Sequence, residues 1–461
     1  MNANSIARAQ QRHVKRLATN TDACGFFNLL TSAPLFEQVE SLLPAHRERL
    51  FPPTETLSMF CAQALNQDRS CQQAVDSAAV KRVVARMRPC STYTGAYCRA
   101  RKRLPETMIS TLMLHTGRAI TSTAPASWQW HGHPVRLVDG TTLTMPDTPA
   151  NQAAYPQSHN QQPGLGFPIC RLVGIVCLGS GALLNATICP YQGKGHDEQS
   201  MLRAMLDTLN SGDVLVGDAF YATYFLLCTL LARGIDGVFE QHGSRQRMTD
   251  FRCGKKLAAR DHLIVFQKPI KKPHWMRQDA YDQAPDTLTV RECRVGGKTL
   301  VTTLLCHKQT PKAALKSLYR HRWHVELDIR NIKTTLGMAH LSCVSPAMIV
   351  KEIWVYLLAY NLIRMMMAEA ACYANCLPRQ ISFKHTVQLC MAMLTCSSEG
   401  LGDTGKTQLL ALIAQQRVGN RCGRVEPRAV KRRPKPYTFL SVPRDIARAR
   451  IRKSGHPVRA K

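Results

Sequence analysis

Three carboxylates in this chain stand at positions where a carboxylate is costly or conspicuous. Asp139 lies inside a short apolar run, Val135 to Leu143 (VRLVDGTTL), between Val138 and Gly140. A charge among apolar neighbours is expensive unless it binds something; an Asp that caps a turn is the ordinary alternative. Asp218 follows directly on a second apolar run, Asp213 to Val216, after Gly217. Glu326 belongs to Tyr319 to Lys333 (YRHRWHVELDIRNIK), where Tyr319, Arg322, Glu326 and Lys333 fall at i, i+3, i+7 and i+14. On an α-helix those positions share one stripe. An apolar stripe would mean core, whereas this one is polar and charged; its plain alternative is a surface Arg–Glu pair of little energetic worth.

Carboxylates that converge from strand ends and a helix can hold divalent cations. Displacement at a phosphodiester uses two metal ions roughly 4 Å apart, one activating the attacking oxygen and one stabilising the leaving one. Hard ions such as Mg²⁺ take carboxylate oxygens on rigid supports. The expectation is therefore that Asp139, Asp218 and Glu326 are both catalytic and metal-binding. They would hold two Mg²⁺ ions, for which Mn²⁺ could substitute. Arg322 and Lys333, on the same stripe as Glu326, are placed to grip phosphates on either side, and Tyr319 joins them as a phosphate-side residue.

The elements that must bring these groups together are legible as periodicity. Val135 to Leu143, Cys170 to Leu178 and Leu183 to Cys189 read as three strands, the last two joined by Gly179, Ser180 and Gly181 in a hairpin. Asp197 to Leu209 carries a helical stripe of Met201, Leu202, Met205, Leu206 and Leu209. A fourth strand at Asp213 to Val216, a helix at Tyr224 to Ala232 and a fifth strand at Gly237 to Glu240 follow. The order β-β-β-α-β-α-β is that of an α/β, ribonuclease-H-like core, in which strands one and four are neighbours. Asp139 and Asp218 would then meet on one sheet edge, with Glu326 on a helix packed over it.

Around this core the chain divides by composition. Residues 1–25 read as a disordered basic start and 26–123 as an all-helical N-terminal DNA-binding domain. Residues 134–372 read as the catalytic domain, with a β-strand insertion at about 242–312 before the Glu helix; its runs are His262 to Phe266, Thr287 to Cys293 and Thr299 to Leu305. A helical region, 373–416, and a basic flexible tail, 417–461, complete the chain. That tail holds 15 Lys and Arg against Glu426 and Asp445. In the N-terminal part, the basic runs at Lys81 to Arg88 and at Arg99, Arg101, Lys102 and Arg103 suit a helix, a turn and a second helix laid on DNA; a solvated charged face is the alternative.

Charge points to the partner. Sixty-one Lys and Arg against 31 Asp and Glu leave +30, which favours a polyanion, and double-stranded DNA is the default. A membrane is excluded by the lack of 18 uninterrupted apolar residues; the most apolar segment, Ile353 to Met367, contains Arg364 and reads as a buried helix. Met1 to Thr21 has no apolar signal segment, so a cytoplasmic, nucleoid-associated protein is expected. The 18 Cys are scattered singly and read as reduced core thiols.

The spacing Tyr-x2-Arg-x3-Glu-x6-Lys, met here by Tyr319, Arg322, Glu326 and Lys333, resembles the signature of DDE transposases of the insertion-sequence-4 type. LVDGTTL around Asp139 and GDAFYATY around Asp218 are similar to the two upstream Asp motifs of that family. The 108-residue interval from Asp218 to Glu326 matches its β insertion, and FFNLL and the CRARKRL run resemble its N-terminal helical domain. The similarity spans about Phe26 to Ala371. It implies Mg²⁺-dependent cleavage at transposon terminal repeats, freeing a 3′-OH that attacks target DNA. It also implies a homodimer holding two ends together and no small-molecule cofactor. In some relatives the second strand is cut through a hairpin, helped by an aromatic residue stacked on a flipped base. Trp323 and Phe220 are candidates by position, although Trp323 lies one residue off the polar stripe and reads as core. Ala219 follows Asp218 where relatives carry Arg, so a phosphate contact there is not implied.

Other polar residues have plainer readings. His196, Asp197 and Glu198 stand at a helix start, where acidic side chains answer the N-terminal dipole. His321 and His324 flank Arg322 as DNA-facing or core-edge residues. Lys255, Lys256, Lys268, Lys271 and Lys272 are DNA contacts or a solvated face. The competing functions are a nuclease on the same fold that cuts without joining, and a catalytically idle DNA-binding protein derived from a transposase. Intact Asp139, Asp218 and Glu326 argue against the second. A structural nucleoid protein would explain the charge but not the polar stripe.

Overall fold

The structure, a computed structural model, describes residues 41–42, 50–84, 86, 90–246, 249–396, 403–418 and 441–455. The expected disordered start, the FFNLL segment and most of the basic tail lie outside the described residues.

Among the described residues four α-helices precede the sheet: α1 (Pro53–Leu65), α2 (Cys71–Val84), α3 (Gly95–Arg103) and α4 (Glu106–Ser122). Prolines punctuate them, with Pro53 in the first turn of α1 and Pro105 immediately before α4. Along α4, Met108, Ile109, Leu112, Met113, Thr116 and Ile120 recur at three- and four-residue spacing and are all buried.

Among the described residues the sheet has nine strands: β1 (Val135–Thr144), β2 (Ile169–Cys177), β3 (Leu183–Pro190), β4 (Val214–Gly217), β5 (Asp236–Glu240), β6 (Lys255–Ala258), β7 (Asp261–Gln267), β8 (Thr287–Val295) and β9 (Lys298–Thr302). Their spatial order is β3-β2-β1-β4-β5-β9-β8-β7-β6. β1 pairs antiparallel with β2, while β4 runs parallel to both β1 and β5. From β5 onward the neighbours are antiparallel, so β9 to β6 continue the same sheet rather than forming a separate one. The three strands expected at 262–305 correspond to β7, β8 and β9. β6 gave no alternation to read because it is a short, exposed, lysine-bearing edge strand.

A short helix, Pro149–Ala154, lies between β1 and β2, α5 (Glu198–Arg203) lies between β3 and β4, and α6 (Tyr224–Ala232) lies between β4 and β5. The helix expected over 197–209 is shorter than its stripe; after Arg203 the chain makes a tighter turn at Leu206–Thr208 that buries the same apolar face. Beyond the sheet come α7 (Lys312–Arg320), α8 (Trp323–Arg330), a wide π turn at Asn331–Thr335, and α9 (Pro346–Tyr373). Then follow α10 (Phe383–Cys396), α11 (Asp403–Gln415) and α12 (Arg444–Ser454). The single helix expected through Tyr319 to Lys333 is interrupted at His321 and Arg322. There the N–H groups of His321, Arg322, His324 and Val325 bond three residues back instead of four. The backbone stays right-handed throughout, so no proline or glycine marks the break. α12 corrects the reading of 417–461 as flexible throughout: Arg444 pairs with Asp147 and lies over the Phe167 ring, which fixes the start of this helix against the loop after β1.

α9 is buried along most of its length and forms the spine of one face. It is the one helix among the described residues long and apolar enough to cross a membrane, and it is instead enclosed by the fold. The first helices do not close a core alone: Leu57, Phe60, Leu112 and Met113 belong to the same buried cluster as Leu357 and Ile363 of α9. Asn361 ties the layers together. Its Oδ1 accepts from the Leu183 N–H at 2.9 Å and its Nδ2 donates to the Leu183 and Met113 carbonyls at 2.8 and 3.1 Å. Gly117 makes this approach possible, since a Cβ there would lie 2.3 Å from the Leu183 carbonyl oxygen.

Candidate active site

Strand register brings the two aspartates together. Leu137 of β1 lies opposite Val216 of β4 in a parallel pair; two residues further along each chain stand Asp139 and Asp218, side by side where β4 ends. Asp218 leaves the strand with extended backbone, and its Oδ1 accepts the Phe220 N–H at 2.8 Å. The Asp139 Oδ1 accepts from the Gly140 N–H at 2.9 Å. Burial lifts the Asp139 carboxyl from its ordinary 3.8 to about 6. The Gly140 N–H and the Arg322 guanidinium oppose that rise, while the nearby Glu198 and Asp218 carboxylates add to it.

Glu326 comes from α8, and Arg322 links it to the sheet. The Arg322 Nη2 donates to Glu326 Oε1 at 2.6 Å, and its Nη1 lies 3.9 Å from Asp139 Oδ2. One guanidinium thus stands between two of the three carboxylates. Among the described residues no three Asp, Glu, His or Cys side chains stand together at metal-ligand spacing; here a cationic side chain takes up part of the intervening space.

The other signature residues surround this group. Lys333, on the π turn, donates to Thr141 Oγ1 at 3.0 Å and to the Thr142 carbonyl at 2.8 Å, both just past Asp139 on β1. π turns of this kind recur at functional sites. Tyr319 lies on α7, apart from Glu326. Its hydroxyl donates to Glu240 Oε2 at 3.2 Å, and Lys298 reaches the same oxygen at 2.6 Å. Glu240, at the end of β5, escaped sequence reading because it looked like a strand terminus.

A buried ion cluster fixes the helix that carries Glu326. Asp328 points the opposite way from the carboxylate edge and pairs with Arg364 of α9 and, at 2.7 Å, with Arg379. The Arg364 Nε also donates to the Tyr360 hydroxyl at 2.8 Å. His324 packs beside this cluster, where burial and the Arg379 charge hold its imidazole down at about 4. The ring centroids of His321 and His324 are 5.5 Å apart.

Several placements differ from the sequence reading. Trp323 is 57% exposed and Phe220 41% exposed, so Trp323 is not a core residue. It opens α8 on the solvent side of the break at His321. Arg101 is buried, its guanidinium over the rings of Phe60 and Tyr97 at 4.7 and 5.1 Å, whereas Arg99, Lys102 and Arg103 are exposed. A basic run on a helix must turn one position inward, and Arg101 falls there. Asp197 does cap α5, accepting the Ser200 N–H at 3.0 Å. Glu198 does not serve that cap; its carboxylate turns toward Gly140. Lys268 and Lys272 donate to the carbonyls of Ala284 and Met276, internal to the β6–β9 region.

Two parallel strands that carry adjacent aspartates, one within β1 and one just past β4, with a glutamate helix over them, are the setting of the transposase DDE domain. The model of that family matches residues 130–362 of this chain, which therefore belongs to it. Within the family the chain is of the insertion-sequence-4 type. It is 27% identical over 358 residues, 74% of this chain and 77% of the relative, to transposase InsG for insertion sequence element IS4 of Escherichia coli (strain K12). InsZ of the same organism is 27% identical over 141 residues, 30% of this chain and 46% of that one. Among solved structures, the piggyBac transposase synaptic complex with hairpin DNA aligns with a TM-score of 0.46 and 10% identity, covering 90% of this chain and 89% of that one. The chain is an enzyme of DNA transposition, DNA is its partner, and its class cuts and joins DNA with divalent metal ions.

Proposed function

We propose that Asp139, Asp218 and Glu326 form the catalytic triad of a ribonuclease-H-like core, with β6–β9 as its insertion and the helices over 26–123 as its DNA-binding domain. The core would span 134–372, with helical 373–416 and basic 417–461 as appendages. The observation that carries this reading is the adjacency of Asp139 and Asp218, joined to Glu326 through Arg322.

The donor set suits a hard divalent cation. All three groups offer carboxylate oxygens, and Asp139 bears a burial penalty that a cation would remove. Two Mg²⁺ ions, replaceable by Mn²⁺, would be held by these residues; when bound, such ions activate the attacking oxygen and stabilise the leaving one. The protein's own groups do the rest. Lys333 and a released Arg322 grip the phosphates flanking the scissile bond, and Tyr319, anchored on Glu240, lines the approach. Arg99, Lys102 and Arg103 hold the terminal repeat through its backbone. Trp323 and Phe220, both exposed near the triad, present ring faces for a base displaced from the duplex. Two ends must be held at once, so the working unit is a homodimer on transposon and target DNA, without a small-molecule cofactor, in the cytoplasm at the nucleoid.

The test is cleavage and strand transfer on a duplex carrying the element's own ends with Mg²⁺, comparing the intact protein with Glu326→Gln. The expected result is that the intact protein nicks and joins while the variant binds and does neither. A variant as active as its parent would move the third carboxylate elsewhere, and nicks without joined products would make the enzyme a nuclease.

A further inference from the structure

A fourth carboxylate stands at this site on the opposite face of the sheet from Glu326. Glu198 is the first residue of α5, and three contacts hold it against the aspartate edge. A Cβ added to Gly140, the residue after Asp139, would fall 2.5 Å from the Glu198 Cδ and 2.6 Å from its Oε1. Tyr221, buried and three residues after Asp218, donates its hydroxyl to Glu198 Oε2 at 3.2 Å. Arg171 of β2 stands 3.9 Å from Oε1. The next residue, Gln199, clamps the same turn, donating to the Phe220 carbonyl and accepting from the Thr223 hydroxyl at 3.0 Å.

These contacts do not serve the helix start, which Asp197 already caps. They bring a third negative group beside two others, with one distant arginine to offset it, an arrangement that is costly without a further cation. The glycine is part of the arrangement. Glycine inside a strand weakens it and marks a close approach by another group, and at Gly140 any side chain would displace the Glu198 carboxylate.

We infer that Glu198 is a fourth acidic residue of the metal site, acting directly or through a bound water on the divalent cation held by Asp139 and Asp218. The inference rests on the triad reading above. It assigns Gly140 the role of leaving room for that carboxylate, and Tyr221 that of aiming it.

The test is Mn²⁺ binding to the full-length protein without DNA, followed by the electron paramagnetic resonance of free Mn²⁺. Four proteins are compared: the parent, Asp139→Asn, Glu198→Gln and Gly140→Ala, each checked for parental far-ultraviolet circular dichroism. Glu198→Gln keeps size and hydrogen bonding but loses the charge; Gly140→Ala keeps the charge but expels it. Both are expected to weaken Mn²⁺ about tenfold or more, and Asp139→Asn to weaken it at least as much. If Asp139→Asn loses Mn²⁺ while Glu198→Gln binds like the parent, Glu198 is only the partner of Arg171 and Tyr221 and the inference falls alone. If neither variant affects Mn²⁺, the triad reading falls with it.

Discussion

Replacing Asp139 by Asn should destroy catalysis and at the same time stabilise the metal-free fold. The carboxyl titrates at about 6 in the folded protein against 3.8 for an ordinary Asp. Raised affinity for a proton means that the folded state resists losing it, so the sign is clear. Below 3.8 both states are protonated and no penalty exists; between 3.8 and about 6 the unfolded chain ionises first, and stability falls as pH rises. Above about 6 the penalty is complete, and a shift of this size corresponds to about 3 kcal/mol at roughly 1.4 kcal/mol per unit. Asn keeps an oxygen for the Gly140 N–H but carries no charge, so the variant should be more stable than the parent by about 3 kcal/mol at pH 8. The two should converge near pH 4. The assay is urea unfolding of both proteins in chelator at pH 4, 6 and 8, and the difference between them isolates this one group. Saturating Mg²⁺ should narrow the gap at pH 8, because it binds the parent more tightly. A variant less stable than its parent at pH 8 in chelator would refute the argument: Asp139 would then be stabilised by Arg322 rather than strained by burial.

Three further outcomes are expected. Asp328→Asn leaves Arg364 and Arg379 without their shared carboxylate and should cost about 3 to 5 kcal/mol, measured by denaturant unfolding; loss below 1 kcal/mol would deny that this cluster anchors α8. Lys333→Ala should lower the slope of log binding constant against log salt by about 1 if the side chain meets a phosphate, measured by fluorescence anisotropy with end-bearing duplex; an unchanged slope would leave Lys333 as a support for β1. Trp323→Ala should weaken binding of a duplex with an unpaired flipped base by about 1 to 3 kcal/mol relative to a fully paired one, whereas equal weakening of both would make the ring a general contact.

The strands are legible as short apolar runs where both faces are buried, as along the first half of β1 and along β2, and by alternation at the start of β8, where one face is exposed. The side-by-side position of Asp139 and Asp218 followed from their order. What escaped reading had physical reasons. An acid at a helix start looks like a cap, and Asp197 is one, so Glu198 beside it was grouped with it although its side chain turns the other way. Arg101 belongs to a basic run whose sequence does not say which member faces Phe60. Asp328 sits two residues from Glu326 in a polar helix; only the fold shows that Arg364, on the largely buried α9, comes to meet it. The break before α8 leaves no trace in residue type, and with it went the placement of Trp323.

Arg322 has a consequence for how the enzyme is readied. Its guanidinium pairs with Glu326 and stands 3.9 Å from Asp139, a resident counter-ion between two carboxylates of the proposed triad. On the proposed triad reading, a cation that joins those two carboxylates would displace it, and the displaced guanidinium would be free to meet a phosphate of the DNA backbone. Loading the metal and freeing the phosphate grip would then be one exchange rather than two separate events.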